Sequence, residues 1–229
     1  MLPVVVANSW TEQLIHFVDF EGSLVAGVLE YGVVTLRGTE IVAMHTRLCR
    51  PRGRVSPEDT ALHGLREATL AACAPLADDW ELFAGLRETG PLAAHFAGAE
   101  NSLLKSVWPY PRPSPDFARG GVATAADWGP WLDTGRLYPQ FFPALSSAKL
   151  AELVAACGLQ AALDSQAAAH CPPARCRYHA APYDALAGAL LLATLAREPA
   201  IAAMSAGQLM VLSTLDGEKR DALAQREMF

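Results

Sequence analysis

Apolar and polar positions divide this chain into short runs of differing period. Leu14-Ile15-His16-Phe17-Val18 is a nearly unbroken apolar run of strand length, and it stops at Asp19-Phe20-Glu21. Val25 to Leu36 alternates loosely and suits a second strand. Glu40 to Leu48 suits a third, with a turn centred on Gly38 between them. Three consecutive strands on short connections imply an antiparallel meander. Ser56-Pro57-Glu58 then opens a helix, with Ser56 as N-cap and Pro57 in the first helical position. Further on, Pro75 to Leu86 reads as helix, Gly90 to His95 as a short strand, Gly98 to Trp108 as helix, and Trp131 to Thr134 as a short strand. Tyr110 to Gly121, rich in Pro and Gly, reads as a loop. The remainder is mostly helical: Ser146 to Cys157, Gln160 to His170, Pro182 to Arg197, and Ser205 to about Arg226. A meander followed by alternating strands and helices predicts an α/β fold, a mixed sheet flanked by helices.

Composition narrows the picture. At 229 residues and 52% hydrophobic, the chain suits one domain with a sizeable core. Residues 198–229 read as a helical extension that packs on the domain or mediates a homodimer. The longest apolar stretch, around Ala185 to Ala196, is too short and Ala-rich for a membrane span. Met1 to Trp10 lacks the basic start and cleavage pattern of a signal peptide. Five scattered cysteines read as reduced thiols, and the expected location is cytoplasmic. A net charge of −6 argues against a general nucleic-acid coating protein but leaves room for a local basic patch. Arg47, Arg50, Arg52 and Arg54 are the best such group, although charge runs are more often solvated loop edges.

The chemistry concentrates in four clusters: Asp19-Phe20-Glu21, His95 with Glu100, Asp133-Thr134, and His179 with Asp184. Alternate strand residues face the same way, so Asp19 and Glu21 project together. Paired carboxylates repel unless a cation neutralises them. Hard oxygen ligands of this kind suit magnesium. Asp184 could add a carboxylate from a helix, and His179 could supply a base, because histidine titrates near neutrality.

In this order and spacing, the clusters resemble the three motifs of the DEDD exonucleases, histidine subgroup. Asp19-Phe20-Glu21 is similar to the first motif, His95-Phe96-Ala97-Gly98-Ala99-Glu100 to the second, and His179-Ala-Ala-Pro-Tyr-Asp184 to the third. His63-Gly64-Leu65 and Asp133-Thr134-Gly135-Arg136-Leu137 are weaker landmarks. The resemblance spans about 12–197 and implies a ribonuclease H-like fold, with a five-stranded sheet of meander plus two parallel strands. It implies a metal-dependent 3′–5′ exonuclease that hydrolyses terminal phosphodiester bonds of DNA or RNA to nucleoside 5′-monophosphates. Asp19, Glu21, Glu100 and Asp184 would hold two Mg2+ ions, with Mn2+ as substitute, and His179 would be the general base. Phe20, Gly22, Ser23, Leu24, His63 and His95 would lie against the substrate 3′ end.

Two departures stand out. Glu100 occupies a position where the family usually has Asp, one methylene shorter. If Glu100 is only a helix-start acid favoured by the dipole, the chain is instead a catalytically impaired binding or interaction module on the same fold. After the first motif, Gly22-Ser23-Leu24-Val25 replaces the usual segment, and Leu24 and Val25 are the candidates for the apolar wedge between terminal bases that the resemblance implies. Zinc is disfavoured at His170, Cys171, Cys176 and His179, because the spacing and the intervening Pro172-Pro173 do not suit a tight chelate. Trp108, Trp128 and Trp131 read as core anchors rather than stacking platforms.

Overall fold

The structure, a computed structural model, describes residues 9–214, 217–218 and 221. The meander is formed by β1 (Leu14–Ser23), β2 (Gly27–Arg37) and β3 (Glu40–Leu48). Two helices, α1 (Pro57–His63) and α2 (Glu67–Leu70), lead to α3 (Trp80–Thr89), β4 (Leu92–Ala94) and α4 (Gly98–Val107). A two-stranded ribbon, β5 (Ser114–Pro115) with β6 (Thr124–Ala125), interrupts the Pro-rich loop, and β7 (Leu132–Asp133) completes the strands. The helical remainder is α5 (Thr134–Phe141), α6 (Leu150–Ala156), α7 (Gln160–His170), α8 (Ala181–Leu195), α9 (Pro199–Ala202) and α10 (Ala206–Ser213).

The main sheet has the order β3-β2-β1-β4-β7. β1–β2 and β2–β3 are antiparallel, while β1–β4 and β4–β7 are parallel. This is the five-stranded arrangement expected from the sequence. The loose alternation of the second strand has a plain cause. β2 is buried on both faces, so neither face needs to be polar.

Side-chain alternation along β1 sorts residues between two apolar layers. Ile15 and Phe17 join the layer under α8, whereas Val18 and Phe20 join the layer with Phe83 and Leu104 on the α3–α4 side. Helix α8 is buried nearly all round, as an apolar helix between a sheet and other helices should be. Its approach is close because Gly188 makes room for the Phe17 ring and Gly32 for the Ala181 carbonyl. A Cβ on either glycine would lie 2.1 and 2.3 Å, respectively, from those atoms.

Several boundaries differ from the sequence reading. The Pro75–Leu86 pattern is a 3-10 turn, Leu76–Asp79, followed by α3. The helix expected from Ser146 starts only at Leu150. The helix expected from Ser205 to about Arg226 is interrupted after Ser213, where Thr214 turns extended; Gly217, Glu218 and Asp221 are helical, and the rest lies outside the described residues. Ser56 caps α1 as expected, its hydroxyl accepting from Asp59 N–H at 2.9 Å. Trp128 is fully buried and donates to the Trp108 carbonyl at 2.7 Å, which makes these rings part of the core.

Candidate active site

Strand β1 runs on beyond its pairing with β4, which ends at Phe17–Ala93. Asp19 and Glu21 therefore project past the carboxyl end of a parallel strand, where open α/β sheets form their crevices. They face the α8 side, and Asp184 sits in the first turn of α8, the one charged residue of that helix. A lone charge in a buried helix has to meet something polar. Here Asp184 Oδ2 accepts the backbone N–H of His179 at 3.0 Å, and Oδ1 is buried with no protein partner. One carboxylate oxygen each from Glu21 and Asp184 and one ring nitrogen of His179 all lie within 4.8 Å of one another.

Glu100 arrives from the opposite layer. It lies in the first turn of α4, buried, with the backbone N–H of Phe20 near enough to favour its charged form. Its Oε2 is buried without a partner. The carboxylates act on one another. Burial, reinforced by its acidic neighbours Glu100, Asp184, Glu21 and Glu30, pushes Asp19 well above the usual carboxylate range. Burial and then Asp184 and Glu30 raise Glu21 to about 8. Burial and then Glu21 raise Glu100 to about 8, against the Phe20 N–H. Asp184 is raised to about 7 by burial, against the hydrogen bond from His179 N–H. Unpartnered buried oxygens and mutually repelling carboxylates are the signature of a site built for cations. The donor set, all hard oxygens plus one imidazole, fits divalent magnesium or manganese.

The other expected substrate contacts fall differently. Phe20 is turned away from the carboxylates, packed on Phe83 with ring centroids 5.7 Å apart. Period-two alternation requires this, so its side chain is a core anchor and only its backbone serves the site. His95 is also internal. Burial lowers its pKa to about 4, so the ring is neutral. Its Nε2 donates to the Ala148 carbonyl at 2.8 Å, and Nδ1 accepts from the Thr134 hydroxyl at 2.9 Å. With both nitrogens occupied, His95 is a tether. Asp133 is its companion, accepting the N–H groups of Phe96 and Ala97 at 2.9 and 3.0 Å and so fixing the turn that leads to Glu100. His63 is buried, its Nδ1 accepting from Leu65 N–H at 3.0 Å.

The β1–β2 turn is the exposed wall. Gly22 sits at a bulge with φ 143, and a Cβ there would lie 2.2 Å from the Gly27 carbonyl oxygen. The Ser23 hydroxyl accepts from Ala26 N–H at 3.1 Å. Leu24 and Val25 are 56% and 70% exposed, an apolar tip in solvent. Of the arginine group, Arg47 pairs with Asp79, and Arg52 donates to the Leu24 and Ser106 carbonyls. Arg50 and Arg54 are exposed.

Sequence reasoning passed over Glu30 and Arg175. Glu30 is buried on β2 and takes a two-pronged contact from Arg175, with Nε to Oε1 at 2.8 Å. The signal was present: one charge inside the apolar run Val28-Leu29-Glu30-Tyr31-Gly32-Val33-Val34. Its partner, distant in sequence, could not be read from it.

No protein-family model matches the sequence, and no curated protein matches it. Solved structures do. Exonuclease X, in complex with 5′ overhanging duplex DNA, superposes with a TM-score of 0.63 at 22% identity, covering 87% of this chain and 99% of its own. The nuclease domain of 3′hExo, a DEDDh family member bound to rAMP, gives 0.59 at 15% identity, covering 82% and 94%. E. coli Exonuclease I with a dT13 oligonucleotide gives 0.58 at 12% identity, and this chain covers 41% of it. At these identities the likeness establishes the fold: the chain has the ribonuclease H-like fold of the DEDDh exonucleases. Among the described residues, no helix is long and apolar enough to cross a membrane.

Proposed function

We propose that this chain is a metal-dependent 3′–5′ exonuclease of the DEDDh type, acting on DNA or RNA and releasing nucleoside 5′-monophosphates. The observation that carries the reading is the meeting of Glu21, Asp184 and His179 within 4.8 Å, with Asp19 and Glu100 electrostatically joined to them. Asp19, Glu21, Glu100 and Asp184 would hold two magnesium ions, with manganese as substitute. Bound there, the ions supply Lewis acidity and neutralise charge on the phosphate. His179 takes a proton from the water that attacks the terminal phosphodiester. The exposed Leu24–Val25 tip offers an apolar surface to the terminal bases, and the Gly22 bulge lets the backbone come close to the sugar. Glu100 supports an active enzyme over a binding module, because its carboxylate is buried with a free oxygen rather than solvated at a helix start.

A 5′-labelled single strand tests this directly. Incubated with Mg2+ or Mn2+, it should shorten stepwise from the 3′ end, and a 3′-phosphate should slow it strongly. Excess chelator should abolish hydrolysis. Early release of the 5′ label as a mononucleotide, or full activity in chelator, would overturn the proposal.

A further inference from the structure

If His179 is the base, something must hold it at the carboxylates. Its backbone has φ 61, an uncommon conformation for a residue other than glycine. Such a conformation persists only where the surroundings impose it. Tyr178 packs on the core and edge-on against Tyr183, but the segment before it, Pro172 to Arg175, is less tightly covered. A cavity of about 590 Å³ lies between that segment and β3, lined by Thr46, Leu48, Cys73, Ala174 and Arg175 among others.

Asp184 holds the His179 N–H, and a second restraint, on the carbonyl side, is ionic and comes from four residues upstream. Arg175 is buried and forks onto Glu30. Its Nη1 donates to the His63 carbonyl at 2.7 Å, and Nη2 also reaches the His179 carbonyl at 3.4 Å. Glu30 Oε2 in turn accepts the N–H of Ala181 at 2.9 Å. The carbonyl of His179 and the amide of Ala181 are thus bound to one ion pair, two residues apart. Arg177 adds a second guanidinium to the His63 carbonyl at 2.9 Å. The arrangement needs the planar fork of arginine, which a lysine ammonium cannot reproduce.

Building on the exonuclease reading, we propose that the Glu30–Arg175 pair positions His179, fixing the backbone on both sides of Ala180 without touching substrate. It sets the start of α8 as well, and hence Asp184.

The test replaces both partners at once, Glu30→Gln with Arg175→Met. This leaves neither partner's charge buried alone and keeps an acceptor for Ala181 N–H. Two readouts are taken. In the metal-free protein, amide exchange followed by NMR should speed up at least about 10-fold at His179, while Leu191 inside α8 is unchanged. Turnover in Mn2+ should fall about 10–100-fold with KM little changed, as for other residues that orient a site. The same change made in His179→Asn should cost less than about 2-fold, because residues acting through one group are not additive. Equal losses in both backgrounds, or unchanged exchange at His179, would show that the pair only stabilises the fold. Where circular dichroism shows the double variant unfolded, Arg175→Lys carries the same expectations. A parent protein that hydrolyses no nucleic acid refutes the exonuclease reading, and the exchange measurement still decides the positioning.

Discussion

Glu21 and Glu30 are partners at one rung of the β1–β2 ladder, and only Glu30 is met by a guanidinium. The two carboxylates lie on one sheet face, and with Glu30 paired, Glu21 is the member of that rung left to the charge cluster. Glu21 then shares its burden with Asp19, Glu100 and Asp184.

That burden has a pH signature. Glu21 and Glu100 are raised to about 8 and Asp184 to about 7, against unfolded values near 4. Between those limits the folded, metal-free protein binds more protons than the unfolded chain. Stability is therefore greatest at the acid end of this window and falls as pH rises through about 7 to 8. In chelator, the melting temperature should drop between pH 5 and pH 8.5, by about 2–4 °C for each kcal/mol lost. Manganese at 100 times its Kd should add about 2.7 kcal/mol and recover part of the loss. A metal-free melting temperature that stays level or climbs across this range would contradict the account.

Glu100 can be probed without disturbing shape. Glu100→Gln keeps an acceptor for Phe20 N–H but removes the charge, so turnover should fall at least about 100-fold, more than loss of an outer-shell partner costs. Glu100→Asp keeps the charge and should retain activity. Turnover equal to the parent in the Gln variant would make Glu100 a helix-start acid and nothing more.

For His179 the informative substitution is Asn, which tolerates positive φ and so spares the backbone. Loss of a general base should cost about 10²–10⁴ in turnover. Because the imidazole lies within 4.8 Å of Glu21 and Asp184 oxygens, it stands at ligand range too. Titration with Mn2+ separates the roles: unchanged affinity in the variant marks a base, and weakened affinity marks a ligand.

Gly32 faces the start of α8, where a Cβ would lie 2.3 Å from the Ala181 carbonyl oxygen. Backbone cannot yield as a side chain end does. Gly32→Ala should cost about 1–3 kcal/mol in denaturant unfolding. It should also weaken manganese binding by moving Asp184 off the sheet. Parent-like metal affinity in a folded Gly32→Ala protein would show that α8 absorbs the shift.

The sheet was legible from period, and so was the facing of Asp19 and Glu21 at the end of an apolar run; that Glu21, His179 and Asp184 come together was foreshadowed by the order of the motifs, which resemble those of the exonucleases. What was not legible depends on distance through space. Nothing local says that Glu30 meets Arg175, or that His95 spends both nitrogens on Thr134 and Ala148. Phe20 could have been read correctly, since the alternation that brings Asp19 and Glu21 together sends it the other way. The break in the expected final helix after Ser213 follows from Thr214 adopting extended backbone, which helical periodicity alone does not reveal.

The order of the charged positions along the chain also sets when the site can exist. Asp19, Glu21 and Glu100 leave the ribosome well before Asp184, by on the order of ten seconds at ordinary synthesis rates. Until α8 is made, Glu30 lacks both Arg175 and the Ala181 amide that complete its contacts. A nascent or prematurely ended chain therefore carries most of the acidic residues with nothing to gather them. On the proposed function, hydrolytic competence is withheld until the domain is nearly finished, and truncated products are inert toward nucleic acid.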